Sequence, residues 1–445
     1  MGYIMRLLML PLQRWTRLVG LNGSERIRNG AVSIYSKETI DYAQELAREI
    51  GQYDLRFYRS AVDEEERARN DYQRDYARVL YSSSFRRLQG KMQLLGIDDA
   101  HFHRNRLTHS LEVAQIARTI AASLGIPDHI VAETCSLAHD LGNPPFGHQG
   151  EVILNELANP IGGYEGNAQT FRILNFLEKK SHTYRGLNLT FRTLMGVVKY
   201  FYNKESNSKK FLYDDDFALL DQVCSALGLK YRRTIDMQIM DLADEIAYAA
   251  HDLDDALSFN MLSIDELIYE FKINKEYSDA FEVLKEIVKE CQSFGFSSKE
   301  LSTSEEYTFL FRKELTSKIV SKLINDIHVS DQNTNKELSL CFNKYEGLAV
   351  GLKKLLFKAI LRKTSVQIYE KKGEKVIRGL FQVYSDPTFN KGQILLPPEY
   401  RQGKSERQKS RYVIDYIAGM MDSFAMHEYV KYFGHNSLER IYRDV

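Results

Sequence analysis

The chain has 445 residues, 44% of them apolar, which is enough for one large helical domain or two ordinary ones around a sizeable core. Lys+Arg and Asp+Glu both number 60, so the formal net charge is zero, which excludes a chain-wide field for nucleic acid and leaves room only for a local basic pocket. No apolar run reaches the length of a membrane span. The cysteines Cys135, Cys224, Cys291 and Cys341 are far apart, match no zinc spacing, and read as reduced, buried thiols of a cytoplasmic protein.

Met1 to Ser33 carries Arg6, Arg14, Arg17, Arg26 and Arg28 against the single acid Glu25. Its apolar run Leu7-Leu8-Met9-Leu10 is cut by Pro11 and is too short for a signal sequence; a tail, or an arm onto a neighbouring subunit, fits it better than a membrane-surface segment. Lys37 to Ser60 has helical apolar spacing ending at Gly51, and Glu64 to Arg87 reads as a long charged helix. Gln89 to His103, with Gly90, Gly96 and Asp98-Asp99, reads as a short helix running into a loop. In the next helix Leu107, Leu111, Ala114, Ala117, Ala121 and Leu124 form a stripe and Gly125 ends it. His109 shares a face with Val113, Ile116 and Ile120, so it is expected to be buried and to need a partner; in isolation a satisfied core histidine is the default.

Pro127 and Asp128 open a helix that runs through Cys135 to the pair His139-Asp140. Gly142 and Pro144-Pro145 stop it, and His148 follows in the break. A His-Asp pair alone is weak evidence of function, since His251-Asp252 is another. Gly162-Gly163 mark a turn, helical spacing returns through Phe171, Leu174 and Leu177, and Leu194 to Tyr202 reads as a helix holding Lys199, followed by a polar loop from Asn203 to Asp216. On the helix Met237 to Leu257, the residues Asp244, Tyr248, His251, Asp252 and Asp255 fall on one face. That face is either a solvated acidic surface or a pocket wall, and Tyr248 within it favours the wall. Helices are further expected over Leu267 to Cys291, Phe309 to Ile327, Gly347 to Leu361, Val366 to Tyr384 (interrupted by Gly373) and Tyr412 to Tyr429, with loops at Ser293 to Thr308 and Lys391 to Lys409.

Together His109, His139, Asp140 and Asp244 resemble the four metal ligands of the HD phosphohydrolase superfamily. The strings Phe85-Arg86-Arg87-Leu88, Arg106-Leu107-Thr108-His109-Ser110-Leu111-Glu112 and Gly142-Asn143-Pro144-Pro145-Phe146-Gly147-His148 narrow the resemblance to the dGTPase family of deoxynucleoside triphosphate triphosphohydrolases. It covers the chain from Asp75 to Asp255 and resumes near Asp415. The resemblance implies an all-α fold: a tail and helix over residues 1–60, an HD core over 61–260 and a C-terminal helical extension over 261–445 packed on the core.

Two imidazoles and two carboxylates make a mixed site suited to Mn²⁺ or Fe²⁺, and less to Mg²⁺. By resemblance, water attacks the α-phosphorus of a deoxynucleoside triphosphate, dGTP favoured, giving deoxynucleoside and inorganic triphosphate. His148 matches the family's catalytic histidine and Glu151 the carboxylate that pairs with it. Arg106, Lys199 and Asn167 match phosphate contacts, and Gln93, Tyr248 and Asp252 match sugar contacts. Glu245 stands where some branches have Lys and Asn143 where they have His, a pattern nearer the bacterial branch. The family also implies a homo-oligomer, hexamer or tetramer, with a regulatory nucleotide or single-stranded nucleic acid as a further partner. The rival readings are another HD phosphohydrolase, acting on nucleoside monophosphates or cyclic diesters, and a non-enzymatic nucleotide sensor or nucleic-acid-binding module. The complete set of metal-site residues with His148 argues against the second, and product analysis discriminates the first.

Overall fold

The computed structural model describes residues 34–58, 68–93, 104–229, 233–331 and 338–439. The basic N-terminal stretch, and the part of Gln89 to His103 that holds Gly96 and Asp98-Asp99, lie outside the described residues.

Helix starts follow local chemistry. α1 (Lys37–Gly51) is capped by the Ser36 hydroxyl, and α2 (Asp71–Leu80) by a reciprocal pair of bonds between Asn70 and Gln73. The helix expected to run to Arg87 stops at Tyr81, because the Ser82 side chain turns to cap a new helix, α3 (Ser83–Arg87). α4 (Arg106–Ser123) opens on an Asn105–Thr108 capping box, and the left-handed Gly125 follows its end. Its buried face runs through His109, Val113, Ile116 and Ile120, whereas Leu111 of the expected apolar stripe is 45% exposed.

α5 (Ile130–Ala138) ends just before His139-Asp140, and α6 (Gly147–Ala158) starts after the left-handed Phe146. α7 (Gly166–Arg172) runs into a π-turn, Ile173–Leu177. α8 (Phe191–Gly196) is capped by Thr190 and is shorter than expected: it ends before Lys199, where Gly196 passes so close to the Cys135 sulfur that a Cβ would lie 2.4 Å from it. α9 (Asp214–Leu227) and α10 (Ile235–Ser258) follow. α10 is buried along most of its length and packs against α4, α5 and α8.

The C-terminal part has α11 (Ile264–Ile273), α12 (Ser278–Phe296), α13 (Ser304–Asn325), an antiparallel hairpin of β1 (Ile327–Ser330) and β2 (Ser339–Phe342), then α14 (Glu346–Leu361), α15 (Thr364–Ser385), α16 (Glu406–Ala418) and α17 (Asp422–Phe433). The fold is therefore all-α apart from this small hairpin. The apolar residues of α11 to α14 join those of α1 to α5 and α7 to α10 in one cluster, and α13 and α14 pack directly on α10. A second, smaller cluster is built by α15, α16 and α17 around α6. α15 runs unbroken through Gly373, which is a place of close approach: a Cβ there would sit 2.5 Å from Cγ of Phe146. The single helix expected over Tyr412 to Tyr429 is two, because the chain turns at Gly419 and Met421 adopts extended backbone. The four cysteines are buried and none is in a disulfide, and among the described residues no helix is long and apolar enough to cross a membrane.

Candidate active site

Two elements converge on α10 to build the site. His109 comes from the first turns of α4, His139 and Asp140 from the turn after α5, and Asp244 from the middle of α10. Ligand atoms of His109, His139 and Asp244 all lie within 4.8 Å of one another. His109 Nε2 is 3.2 Å from Asp244 Oδ1, and His139 Nε2 is 3.4 Å from the same oxygen and 3.5 Å from Asp140 Oδ1.

These residues fit a divalent ion on three observations. His139 Nδ1 donates to the Ser136 carbonyl at 2.6 Å, so Nε2 is the nitrogen turned toward the site. Nε2 is buried with no hydrogen-bond partner and points between two carboxylates. The carboxylates are held as anions. Burial works to raise the pKa of Asp244, but the His139 and His109 imidazoles and Lys199 hold it well below the ordinary value. Burial opposes ionisation of Asp140 too, yet His139, Arg106 and His109 bring it below the ordinary value. Two buried anions facing two imidazoles call for a cation between them.

The turn that carries the pair is pinned from α7. Gly142 N–H donates to the Thr170 hydroxyl at 2.9 Å, which itself donates to the His139 carbonyl at 3.0 Å, and Tyr164 donates to the Gly142 carbonyl at 2.6 Å. A Cβ on Gly142 would lie 2.1 Å from the Gly166 carbonyl oxygen, so no side chain fits there. Asp140 has both oxygens occupied: Arg106 Nη1 donates to Oδ2 at 2.6 Å and Asn143 Nδ2 to Oδ1 at 2.5 Å.

Around this centre the sequence-predicted residues divide. Lys199, on a turn rather than a helix, puts its ammonium 2.5 Å from Asp241 and 3.6 Å from Asp244. Tyr248, one turn beyond Asp244, lies with its ring 5.1 Å from that of His109. Asp252 is buried with Oδ1 unpartnered, and burial drives its carboxyl well above the ordinary range. Gln93 is also buried with its Oε1 unpartnered. The other two members of the predicted α10 face turn to a side network instead: Arg104 bonds Asp255 and Glu112 at 2.6 and 2.8 Å, and His251 meets Glu112 at 3.0 Å. Asn167 donates to Glu165 at 2.8 Å.

The expected His148–Glu151 pair is not formed. Glu151 accepts from the Gly166 amide at 3.0 Å, one of the first amides of α7, which has no partner within its own helix. His148 is exposed at the start of α6, its ring 6.3 Å from that of Phe357 on α14. Arg106, matched to phosphate in the sequence, is engaged with Asp140. Sequence reasoning missed Lys353, whose ammonium stands 4.8 Å over the Tyr248 ring from α14, and Lys210, which bonds Glu165 at 2.8 Å. Neither belongs to a motif; only the tertiary fold brings them in. Lys353 and Phe357 are one turn apart on α14, so Tyr248 and His148 flank the same stretch of that helix.

Residues 106–193 match the HD domain family, and residues 345–431 match the phosphohydrolase-associated domain family. The chain is 55% identical over 409 residues to deoxyguanosinetriphosphate triphosphohydrolase-like protein 2 of Vibrio cholerae, covering 92% of this chain and 100% of that protein. It is 34% identical over 432 residues to the deoxyguanosinetriphosphate triphosphohydrolase-like protein of Shewanella woodyi, covering 82% of this chain and 93% of that one. The corresponding protein of Shewanella halifaxensis is 35% identical over 419 residues, covering 80% and 90%. With relatives this similar along nearly their whole length, the chain belongs to the deoxyguanosinetriphosphate triphosphohydrolase-like family of HD-domain proteins.

Proposed function

We propose that the protein hydrolyses deoxynucleoside triphosphates, dGTP favoured, to deoxynucleoside and inorganic triphosphate. One observation carries this reading: a single helix, α10, presents a metal carboxylate (Asp244), then an aromatic ring (Tyr248), then a buried unpartnered carboxyl (Asp252) at one-turn intervals. That order fits a polyphosphate, a sugar and a sugar hydroxyl. The names of the relatives, which refer to deoxyguanosine triphosphate, agree with it.

His109, His139, Asp140 and Asp244 would hold a divalent ion such as Mn²⁺, Mg²⁺ or Fe²⁺, which polarises the phosphorus centre and lowers the cost of forming the nucleophile. The chain's own groups do the rest. Lys199 places a fixed positive charge beside Asp244 for the polyphosphate, and Asn167 and Lys210 extend the polar lining. Arg106 orients Asp140 through a charge-assisted bond and lends its charge to the phosphate side. Tyr248 offers its ring to the deoxyribose, and Asp252 and Gln93 have free buried oxygens for the 3′-hydroxyl. His148, exposed at the start of α6, transfers the proton at the cleaved bond.

The test is a panel of deoxy- and ribonucleoside triphosphates with Mn²⁺, products resolved by ion-exchange chromatography. Inorganic triphosphate plus deoxynucleoside is the expected outcome. Orthophosphate or pyrophosphate instead, or turnover only of monophosphates or cyclic diesters, would assign the site to another HD phosphohydrolase reaction.

A further inference from the structure

The C-terminal helices reach the metal turn through two buried, hydrogen-bonded side chains, Lys91 and Asp422. Lys91, 2% exposed, donates from Nζ to the Asn143 carbonyl at 2.5 Å and to the Ala418 carbonyl at 2.8 Å. Asp422, fully buried at the start of α17, accepts from the Phe146 amide at 3.0 Å through Oδ1, and from the Met92 amide and the Tyr369 hydroxyl at 3.0 Å through Oδ2. Buried polar side chains are costly unless they are hydrogen-bonded. Here most of the bonds fall on the backbone of the two segments that build the site, 91–92 and 143–146.

Both partners of Asp140 hang from Lys91. Its ammonium fixes Asn143, whose side chain bonds Asp140 Oδ1, and its carbonyl accepts the Arg106 amide at 3.2 Å, while the Arg106 guanidinium bonds Asp140 Oδ2. Asp422 acts on the far end of the same turn. Phe146 has a left-handed backbone, φ 63°, which a bulky residue rarely adopts and which persists only where its surroundings over-determine it. The Asp422 carboxylate on its amide, Gly373 against its ring and Tyr369 at 5.7 Å supply those surroundings, all from α15 and α17. His148 is two residues further on.

We infer that Lys91 and Asp422 are positioning residues for the reaction proposed above, through which the C-terminal extension sets Asp140 for metal binding and aims the His148 turn. Outer partners of metal ligands commonly govern affinity by about 10–100-fold.

Mn²⁺ is titrated into metal-stripped full-length protein, and free ion is followed by its paramagnetic resonance signal, for wild type, Lys91→Met, Asp422→Asn and Tyr369→Phe, with melting temperature recorded for each. Lys91→Met and Asp422→Asn should each weaken Mn²⁺ by about 10–100-fold, and Tyr369→Phe by less. The double variant should lose less than the product of the two single losses, because both act on one turn. A role in stability alone would lower the melting temperature and leave Mn²⁺ affinity at the wild-type value, and folded variants with that affinity overturn the inference. Should Lys91→Met or Asp422→Asn fail to fold, Tyr369→Phe, which deletes one hydroxyl outside the site, decides: weakened Mn²⁺ supports the inference and unchanged Mn²⁺ overturns it. The titration contains no nucleotide, so the two failures are distinct. A protein that binds Mn²⁺ but releases no triphosphate fails the reaction alone, and variants with unaltered Mn²⁺ binding fail only this inference.

Discussion

His139 donates its Nδ1 proton to the Ser136 carbonyl at 2.6 Å, and that bond decides which nitrogen faces the site. Burial disfavours charge on the ring, but the Asp140 and Asp244 carboxylates outweigh it and lift the imidazole pKa to about 9. A metal ion must therefore displace a proton from Nε2. Mn²⁺ affinity of the stripped protein is expected to rise about tenfold per pH unit between pH 6 and 8 and to level off near pH 9, with one proton released per ion. Calorimetric titration in buffers of different ionisation enthalpy counts that proton; a count of zero sinks the assignment. Asp244→Ala should abolish tight binding at every pH, since it leaves the two imidazoles with Asp140 alone.

His148 and Glu151 should separate in mutants because the fold separates them. His148→Ala is expected to keep Mn²⁺ and nucleotide binding and lose about 10²–10⁴-fold in kcat, the usual worth of a general acid or base. Glu151→Gln keeps an acceptor for the Gly166 amide at the same place, so its kcat should stay within a few-fold of wild type. Equal losses in the two variants would show that Glu151 acts with His148 after all.

The parts of the site legible in the sequence were those with one-dimensional periodicity or a contiguous motif. Asp244, Tyr248 and Asp252 lie one turn apart, so their shared face follows from helix geometry alone, and His109 follows from its apolar neighbours Val113, Ile116 and Ile120. Contacts between distant segments left no such trace. Lys353 is one lysine among several on α14, and nothing local marks it as the cation over Tyr248. Gly373 reads as a helix break until Phe146 is seen against it. The apolar neighbours of Lys199 predict a helix through it, but α8 ends at Gly196 and Val197 and Val198 are buried in the turn that follows, where tertiary packing overrides propensity. Glu151 has the right spacing to meet His148, and a competing amide at Gly166 takes it.

Asp216, in the first turn of α9, should make stability depend on pH. Burial raises its carboxyl to about 6, with Asp215 and Asp415 adding to the effect and Arg172 and an Asn175 hydrogen bond opposing it. The folded state thus binds the proton more tightly than the unfolded one. The stability gained is complete below the ordinary value of 3.8 and is lost as pH rises through about 6. Asp216→Asn removes the titration and keeps the shape. It should be more stable than wild type at pH 7.5 by roughly 2–3 kcal/mol at most, about 2–3 °C in melting temperature for a chain this long, and show no gain at pH 4. A gain of the same size at both pH values would rule out the linkage.

Sugar discrimination should rest on Tyr248 and be sharpened by Lys353. The ring meets both His109, 5.1 Å away, and the Lys353 ammonium, 4.8 Å from its centroid, so it is held by the core and by α14. A deoxyribose beside Asp244 would lie against this ring with its 3′-hydroxyl toward Asp252. A ribose would bring its 2′-hydroxyl to the aromatic face, to be stripped of water with no partner, at a cost of roughly 1–3 kcal/mol or about ten- to a hundredfold in rate. Tyr248→Ala should therefore narrow the ratio of kcat/KM for dGTP over GTP, mainly by losing activity on the deoxy substrate. Asp252→Ala should weaken both substrates alike, since both carry the 3′-hydroxyl. Lys353→Met should relax the ring with little change at the metal; a cation over a partly exposed ring is worth about 0.5–1 kcal/mol, so the ratio should fall by roughly two- to fivefold. Steady-state kinetics on dGTP and GTP with these three variants check the set together. If wild type treats the two nucleotides alike, or the ratio survives Tyr248→Ala, the ring is not the gate; if only the Lys353→Met ratio is unmoved, Tyr248 is held by the core alone.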